Sequence, residues 1–339
     1  MTDLSTSYLG LKLANPIVPS ASPLSRNIVN LKRLEDSGAA AVVLYSLFEE
    51  QINYDSQLLG EILDQGTQTF AESLSYLPDM QDYNVGPNQY LELIHKAKKE
   101  IHIPIIASLN GSTLGNWVDY SEKIAAAGAD ALELNIYRIV ANPNLSSLEA
   151  EKQYLDIIAA VKNKIRIPVS VKLSPFFTSL PQFIRDLSTR DVDGMVLFNR
   201  FYQADINLEE MEIVHRVNYS TSADLLLPLR WAALLHGQTP LDIAISSGVH
   251  THEDVLKSIL VGANVAMMAS ELLVNGVSRI TTILRDLEKW MTEHEFESIS
   301  QMRGSMSIRS VKDPEKYERA QYLRVLDSYK PPYSPSFAG

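Results

Sequence analysis

The chain has 339 residues, of which 45% are hydrophobic, and its formal net charge is −11. That length fits one large α/β barrel or two smaller domains, and the acidic balance argues against binding to nucleic acid or anionic membranes. The sequence contains no cysteine, which excludes disulfides, thiolate metal ligands and a cysteine base. No signal segment opens the chain and no apolar stretch is long enough to span a bilayer, so we expect a cytoplasmic protein.

Two kinds of strand entry alternate along the chain. In one kind a helix ends at a small residue that precedes an apolar run, as in Gly128–Asn135. In the other kind a proline opens the run, as in Ile103–Ser108, where its missing N–H removes no important ladder bond. The two kinds interleave to predict eight strands, which begin near residues 15, 38, 103, 128, 167, 193, 239 and 262.

Between these strands, apolar residues recur with the 3.6-residue spacing of amphipathic helices. The predicted helices span Ile28–Ser37, Tyr90–Ile101, Trp117–Ala127, Leu148–Val161, Leu180–Leu187, Leu229–Leu235, His252–Leu260 and Leu272–Trp290. Eight β–α units in strict alternation predict parallel strands closed into a (βα)8 TIM barrel, which we treat as one domain over residues 1–339. An open doubly wound sheet is the structural alternative.

Three segments fall outside the eight units. Insertions over Phe48–Asn88 and Arg200–Leu227 follow the second and sixth strands, so we expect both to lie over the mouth of the barrel as lids or pocket walls. A helical tail is predicted from residue 292 to residue 339. It opens on a capping box formed by Thr292 and Glu295 and contains a helix over Pro314–Leu326.

Polar side chains stand at the predicted carboxyl ends of the strands, where barrel enzymes carry their active sites. The set comprises Ser20, Ser22, Ser46, Asn110, Asn135, Lys172, Asn199, Ser246, Ser247 and Ser270. Lys172 is the charged member, and a lysine inside such a strand needs a partner unless its side chain extends to the rim. It therefore suits contact with an anionic or electron-accepting group, or a Schiff base.

Small residues follow the last two predicted strands, at Ser246–Val249 and Ala269–Glu271. The loops after strands seven and eight, together with a helix N-terminus, form the usual phosphate site of TIM barrels. Serines in such loops also cap helices, but their presence in both loops favours a phosphate site. The histidines lack metal-ligand spacing, so we expect no metal site, and His250 and His252 suit a solvated turn.

In their order and spacing, these pieces resemble the dihydroorotate dehydrogenase family of FMN-binding (βα)8 barrels along nearly the whole chain. The matching pieces are Ala14–Ile17, Ala21, Ser22, Ser46, Glu133–Asn135, Val171, Lys172, Asn199, Ser247, Gly248, Ala269, Ser270 and Ser298–Gly304. The resemblance implies an FMN-dependent oxidoreductase that oxidises a CH–CH bond of dihydroorotate to orotate, in pyrimidine biosynthesis, or of a related small ring substrate. It also implies an electron acceptor, which the sequence does not identify, and a homodimer.

The resemblance further implies a role for each matching residue. Ala21, Ser22 and Ser46 would contact the flavin, and Lys172 would lie near its pyrimidine edge, where a cation stabilises the reduced, anionic form. The phosphate group would be held by Ser247, Gly248, Ala269 and Ser270. Substrate contacts would come from Tyr45, Asn84, Asn135, Asn144 and Asn199, and Asn135 would also contact the flavin.

Two positions depart from the family pattern. Asn142 stands where the family has its Cys or Ser base, and Ser146, Ser147 and Tyr137 are the nearby substitutes for that base. Tyr45 stands where the family has a lysine after the second strand. Three alternatives follow: a family member with a different substrate, a non-catalytic flavin-binding subunit, and, outside the family, an aldolase that forms a Schiff base at Lys172.

Overall fold

The computed structural model describes residues 2–51, 87–111, 114–136, 138–200, 203–215, 218–318 and 325. Most of the first predicted insertion and the end of the tail therefore lie outside the described residues. Within the described ranges, no helix has the length and apolar character needed to cross a membrane.

Parallel strands form the centre of the molecule. In chain order the described strands are β1 (Thr6–Tyr8), β2 (Leu11–Leu13), β3 (Ile17–Pro19), β4 (Val42–Phe48), β5 (Ile105–Asn110), β6 (Ala131–Asn135), β7 (Val169–Leu173), β8 (Gly194–Leu197), β9 (Ala204–Asn207), β10 (Glu212–His215), β11 (Asp242–Ser246) and β12 (Val265–Met268). Eight of them form one sheet in the order β3–β12–β11–β8–β7–β6–β5–β4. The N–H of Ala40 donates to the carbonyl of Ile17 at 3.0 Å and links the two ends of this sheet. The predicted TIM barrel is confirmed.

Helices follow the barrel strands and pack on the outer face of the sheet. They are α1 (Ile28–Asp36), α2 (Pro87–Glu100), α3 (Leu114–Ala126), α4 (Ser147–Lys164), α5 (Leu180–Ser188), α6 (Leu226–Leu235), α7 (His252–Leu260), α8 (Ser270–Asn275), α9 (Arg279–Glu293) and α10 (Ile299–Met302). The predicted helices up to α7 are present, with ends displaced by a few residues, and α7 has the predicted bounds.

Side chains alternate between the two faces of each barrel strand, as the pleat requires. In β6, Leu132 and Leu134 belong to the main core between the sheet and the helices. Glu133 and Asn135 point the other way, into the barrel, where they meet Lys172 and Asn199. This alternation brings polar side chains to the interior near the carboxyl ends of the strands.

The hairpin β1–β2 closes the amino-terminal end of the barrel. Tyr8, Leu9 and Leu13 are buried, in a cluster with inward-facing residues of the barrel strands. The N–H of Leu9 donates to Oδ2 of Asp242 at 2.8 Å, which fixes the turn of the hairpin under β11. The interior of the barrel therefore opens towards the carboxyl ends of the strands.

The last predicted helix, Leu272–Trp290, is wrong as a single helix. The structure has α8 and α9 in its place, separated at Gly276, which has a φ of 83°. Glycine adopts this left-handed conformation without the steric cost that a side chain would add. The apolar spacing continues across the break, so periodicity alone did not reveal it.

The capping box predicted at Thr292 is also wrong. Thr292 lies in the last turn of α9, and its hydroxyl donates to the carbonyl of Glu288 at 2.8 Å. The cap is instead Ser298, whose hydroxyl accepts from the N–H of Gln301 at the start of α10. The helix predicted over Pro314–Leu326 begins as a 3-10 turn that ends at residue 317, and most of the chain beyond residue 318 lies outside the described residues.

The second insertion contains the antiparallel hairpin β9–β10 and a 3-10 turn over Ser222–Leu225. Four large apolar side chains of the hairpin are exposed: Ile206, Leu208, Met211 and Ile213. Within the first insertion, residues 52–86 lie outside the described residues, so its predicted role as a lid stays a prediction.

Candidate active site

Lys172 lies at the carboxyl end of β7 and extends across the barrel interior. Its Nζ donates to Oγ of Ser20, which follows β3, at 3.2 Å. In the sheet order, β3 is four strands from β7 in either direction, so the lysine spans the full width of the barrel. Nζ also lies 3.7 Å from Oε1 of Glu133, and the side chain is buried. The alternative in which Lys172 extends to the rim is thereby excluded.

Two asparagine amides meet beside this lysine. Nδ2 of Asn199 donates to Oδ1 of Asn135 at 2.7 Å. Asn135 ends β6 and Asn199 follows β8, and these two strands flank the strand that carries Lys172. The structure therefore brings together three residues that the sequence predicted for the site.

Of the predicted flavin contacts, Ala21 and Ser22 follow β3 at the same opening, whereas Ser46 lies within β4 beside Ser108. The hydroxyls of Ser46 and Ser108 share a hydrogen bond of 2.8 Å. The carbonyl of Ser22 accepts from the hydroxyl of Ser25 at 3.0 Å, within the turn that follows β3. Ala21 lines the same cavity as Lys172.

Tyr45 is buried in the position of the expected lysine. Its ring packs edge-on against Tyr90 with the centroids 5.0 Å apart, and the guanidinium of Arg26 lies 5.7 Å from the Tyr45 centroid. Burial raises the pKa of Tyr45 to about 12, against a smaller lowering by Arg26. The phenol is therefore neutral at physiological pH, and its hydroxyl has no hydrogen-bond partner within the described part of the chain. It can act as a donor but cannot supply positive charge.

The loops after β11 and β12 lie side by side at the mouth. Ser247 and Gly248 have positive φ values of 77° and 81°. A Cβ atom on Gly248 would lie 2.3 Å from the backbone nitrogen of Leu225, so this position requires glycine. Ser270 begins α8, and the first N–H groups of a helix have no acceptor within the helix.

These two loops border a polar cavity of about 90 Å³. The cavity is also lined by Ser20, Ala21, Lys172, Asn199 and Arg200. The predicted phosphate residues and the predicted flavin-edge lysine therefore share one cavity. Ser247, Gly248, Ala269 and Ser270 in these loops carry small side chains or none, so their backbone can lie close to the space that a phosphate would fill.

Behind the loops that follow β11 and β12 lies a hydrogen-bonded network that the sequence did not predict. The hydroxyl of Ser270 accepts from the N–H of Ser220 at 3.1 Å, and the hydroxyl of Ser220 bonds to Nε2 of His250 at 3.0 Å. Nδ1 of His250 lies 3.2 Å from Oε2 of Glu271. The solvated turn expected at His250 is therefore wrong, because its ring joins the second insertion to α8.

The carboxylate of Glu271 holds this network in place. It accepts from Nε of Arg279 at 2.6 Å and from Nδ2 of Asn275 at 2.9 Å. Burial raises the pKa of Glu271, but the bonds from Arg279, Asn275 and His250 outweigh burial, so the pKa is lower than the ordinary value. The charged carboxylate is thus the form that the fold stabilises.

Arg200 is a further site residue that sequence reasoning missed. It directly follows Asn199, and its side chain lines the cavity of Lys172. Its Nη1 is buried and has no hydrogen-bond partner among the residues that the structure describes. A buried guanidinium nitrogen without a partner is costly, which suits a site that binds an anion. The sequence feature that could have predicted Arg200 is its position directly after Asn199, at the end of a strand.

Other predicted residues lie apart from this cavity. Ser146 is exposed and caps α4, and its hydroxyl donates to Glu149 at 2.7 Å. Asn144 is also exposed, and its N–H donates to Oδ1 of Asn142 at 3.0 Å. Neither Ser146 nor Asn144 is among the described residues that line the Lys172 cavity. Tyr137 and Asn84 lie outside the described residues.

A larger and more apolar cleft, of about 530 Å³, lies between the loops that follow β6 and β7. Its walls include Val140, Tyr154, Phe176 and Phe177. The described lining of this cleft contains neither Lys172 nor the asparagine pair. We therefore centre the site on the smaller polar cavity, where the convergent polar groups lie.

Comparison with known proteins identifies the family. The family model described as dihydroorotate dehydrogenase matches residues 68–291, which is more than half of the chain. The chain belongs to the dihydroorotate dehydrogenase family. Members of this family bind FMN and are oxidoreductases that act on CH–CH donors.

Three relatives illustrate the range of the dihydroorotate dehydrogenase family. The catalytic subunit of dihydroorotate dehydrogenase B (NAD(+)) from Thermoplasma acidophilum is 27% identical over 317 residues, 90% of this chain and 99% of the relative. Dihydroorotate dehydrogenase A (fumarate) from Lactobacillus delbrueckii subsp. bulgaricus is 24% identical, over 80% of this chain and 88% of the relative. The chloroplastic dihydropyrimidine dehydrogenase (NADP(+)) of Arabidopsis thaliana is 23% identical, over 89% of this chain and 76% of the relative.

The described residues fit the FMN that dihydroorotate dehydrogenase family members bind. Ser247, Gly248, Ala269 and Ser270 line the polar cavity together with Lys172, and they carry small side chains or none. Nη1 of Arg200, at the same cavity, is a buried polar atom with no partner in the described ranges, as expected of a group that binds a ligand. FMN supplies a hydride acceptor when it is bound.

Proposed function

We propose that this protein is an FMN-dependent oxidoreductase that oxidises the CH–CH bond of dihydroorotate to orotate. The observation that carries the proposal is the position of Lys172, whose ammonium lies inside the barrel beside the amides of Asn135 and Asn199. An ammonium there favours negative charge on a neighbouring ring, and a pair of amides can orient a cyclic imide. Orotate formation would serve pyrimidine biosynthesis in the cytoplasm.

Each group of site residues receives a role in this proposal. Ser247, Gly248, Ala269 and Ser270 hold the phosphate of FMN through backbone N–H and hydroxyl groups. Ala21, Ser22 and Ser46 contact the flavin ring. Asn135 contacts both flavin and substrate, and Asn199 orients the substrate, together with Asn84 and Asn144. Lys172 stabilises the negative charge that develops when the substrate transfers its hydride.

Dihydroorotate carries a carboxylate, and the family lysine that would contact it is absent. Tyr45 stands in its place and is uncharged. We assign the carboxylate to Arg200, because its unpartnered Nη1 lies at the cavity that Lys172 and Asn199 line. A guanidinium can hold a carboxylate through two parallel hydrogen bonds. The hydroxyl of Tyr45 adds one neutral donor.

The assignment of Arg200 has a direct test. Orotate and uracil differ by the carboxylate, and their dissociation constants can be read from the perturbed spectrum of bound flavin. Arg200→Gln is expected to weaken orotate at least about tenfold and to leave uracil unchanged, which corresponds to about 1.4 kcal/mol. The control is Arg230→Gln, which removes an exposed arginine of α6. Equal weakening of both ligands, or of neither, would remove Arg200 from carboxylate recognition.

The proton that leaves the substrate needs an acceptor, which we place on the loop over residues 137–147. Ser146 and Tyr137 are its proposed members, because Asn142 has no useful pKa for this role. The hydroxyl of Ser146 is hydrogen-bonded to the carboxylate of Glu149 at 2.7 Å, which gives its proton a place to go. The same hydroxyl also caps α4, so a variant at Ser146 needs two measurements, one of stability and one of flavin reduction.

The deciding experiment is the visible spectrum of the purified protein, recorded anaerobically before and after addition of dihydroorotate. A flavin band that bleaches supports the proposal, and turnover is then measured with fumarate, NAD(+) and an artificial dye as acceptors. A band that persists would overturn dihydroorotate as the substrate and favour a family member with another ring substrate or a non-catalytic flavin-binding subunit. A colourless protein whose Lys172 is trapped by borohydride would favour the aldolase. Sedimentation equilibrium of the holoprotein tests the proposed homodimer.

A further inference from the structure

Below the cofactor site, the barrel interior contains a second layer of polar side chains. In the register of the sheet, Ser108 lies beside Glu133 and Glu133 lies beside Ser170. All three side chains are fully buried. Apolar residues usually fill this layer of a TIM barrel, so a carboxylate at its centre needs an explanation.

Glu133 contacts the ammonium of Lys172 from below. Its Oε1 lies 3.7 Å from Nζ of Lys172 and accepts from the hydroxyl of Ser108 at 3.4 Å. The second contact of the ammonium is Ser20, on the opposite wall of the barrel. Because two walls hold the ammonium, it has one defined position near the barrel axis.

The other oxygen of Glu133 faces further down the barrel. Oε2 of Glu133, the hydroxyl of Ser170 and the hydroxyl of Tyr8 are all buried, and none has a hydrogen-bond partner outside this group within the described ranges. Burial, and after it the nearby charge of Glu133, raises the pKa of Tyr8, while a hydrogen bond with Ser170 lowers it. The lower side of the carboxylate is thus lined by hydroxyl groups rather than by a second cation.

A buried charge is costly unless it is paired, and removal of one partner leaves the other uncompensated. Among the described side chains, Lys172 is the cation within 4.0 Å of Glu133. The carboxylate therefore both restrains the ammonium and cancels part of its field at the mouth. Lys172 alone would present a stronger and less ordered positive charge.

We propose that Glu133 is a positioning residue that fixes Lys172 in the barrel and sets how strongly its charge acts on the flavin above it. This inference rests on the proposed function only for its second half, because the restraint of Lys172 does not require a cofactor. Glu133 itself contacts neither cofactor nor substrate in this proposal. It acts through the lysine.

The first test uses the apoprotein. The reactivity of Lys172 towards reductive methylation is followed by mass spectrometry in the wild type and in Glu133→Gln. We expect the variant to react at least about tenfold faster, because the ammonium is released from one of its two anchors. Asp242→Asn is the matched control, since Asp242 is a carboxylate at the closed end of the barrel that bonds to Leu9 and Asn264. An unchanged rate at Lys172 would overturn the positioning role.

The second test uses the FMN-loaded protein and needs no substrate. The midpoint potential of bound FMN is measured against a reference dye. Loss of the negative charge in Glu133→Gln is expected to favour reduced flavin about tenfold, a positive shift of about 30 mV for two electrons. Asp242→Asn should leave the potential unchanged. A potential that stays constant or falls in Glu133→Gln would overturn the electrostatic half of the proposal.

Glu133→Asp covers the case in which Glu133→Gln does not fold. It keeps the charge but withdraws the carboxylate from the ammonium by one methylene. We expect faster methylation of Lys172 with a smaller potential shift than in Glu133→Gln, and unchanged methylation would overturn the proposal. If the wild type binds no FMN, the proposed function fails while the methylation test still decides the role of Glu133.

Discussion

The amide of Asn199 donates to the amide of Asn135 at 2.7 Å, which joins the ends of the two strands on either side of Lys172. Each amide retains further hydrogen-bonding capacity, since a side-chain amide has two N–H donors and one carbonyl acceptor. The pair can thus present both a donor and an acceptor to a ring that carries an imide.

Asn199→Ala is therefore expected to weaken the binding of orotate. Loss of one hydrogen bond to a buried polar partner costs about 1–3 kcal/mol, which corresponds to roughly 5–150-fold in the dissociation constant. The measurement is a titration of the FMN-loaded protein followed by flavin absorbance. Asn207→Ala, in the exposed hairpin where Asn207 bonds to Glu210, is the control. If the two variants bind orotate equally well, Asn199 does not hold the substrate.

Gly248→Ala is expected to weaken FMN binding by about tenfold or more. The new Cβ would lie 2.3 Å from the nitrogen of Leu225, in a backbone conformation with a φ of 81°, so the loop must move. Strain of this kind costs on the order of 1–3 kcal/mol. Fluorescence titration of the apoprotein with FMN measures the effect.

Gly115→Ala is the matched control for that substitution. Gly115 lies in α3, and a Cβ there would meet no atom of the described residues within 4 Å. Alanine forms helices better than glycine, so the melting temperature of the Gly115→Ala variant should equal that of the wild type or lie slightly above it. Equal FMN affinity in Gly248→Ala and Gly115→Ala would show that the loop after β11 does not approach the cofactor.

Ser146→Ala separates the two roles of that hydroxyl. Removal of the cap from α4 is expected to lower the free energy of unfolding by about 1 kcal/mol. Ser298→Ala removes the corresponding cap of α10 and should cost a similar amount. If Ser146 accepts the proton that leaves the substrate, flavin reduction by substrate is expected to fall about 100-fold in Ser146→Ala and to stay unchanged in Ser298→Ala. Equal reduction rates in the two variants would remove Ser146 from proton transfer and leave Tyr137 as the proposed acceptor.

The lowered pKa of Glu271, beside the loop after β12, determines how acid affects the stability of the fold. Its pKa in the folded protein is lower than the ordinary value of 4.5. A lowered pKa means that the unfolded chain binds the proton more readily, so Glu271 stabilises the fold fully above about pH 4.5. This contribution is lost as the pH falls from there through the lower, folded-state pKa.

Urea unfolding at several pH values tests this sign. The difference in the free energy of unfolding between the wild type and Glu271→Gln should be largest near neutral pH and should shrink below pH 4.5. Glu253→Gln, at an exposed ion pair with Lys257, should show almost no difference at any pH. A difference between wild type and Glu271→Gln that grows on acidification would contradict the stabilising role of the Glu271 carboxylate.

The strand ends of the site were predictable from the sequence because they depend on local patterns. Gly128 and the apolar run that follows it predict β6, and that strand places Asn135 at the mouth. Lys172 is likewise a charged residue within an apolar strand, which predicts that it needs a partner, in the barrel or against the helices, unless it extends to the rim. Because side chains alternate between the two faces of a strand, the strand ends then predict which of these residues face the barrel interior.

The partners themselves were not predictable, since they lie far apart in the chain. Ser220 and His250 are 30 residues apart, and the insertion that carries Ser220 has no periodic pattern to place it. Ser20 and Lys172 are separated by 152 residues and meet only because the barrel closes. The break at Gly276 was missed for a different reason, because a single glycine within an apolar period costs only about 1 kcal/mol and is a weak signal.

The hairpin β1–β2 packs Tyr8, Leu9 and Leu13 into the amino-terminal end of the barrel, and this packing affects how solvent reaches the interior. Because Tyr8, Leu9 and Leu13 are buried at that end, solvent is expected to reach the interior through the mouth. A ligand that covers the mouth therefore shields all interior groups at once rather than strand by strand.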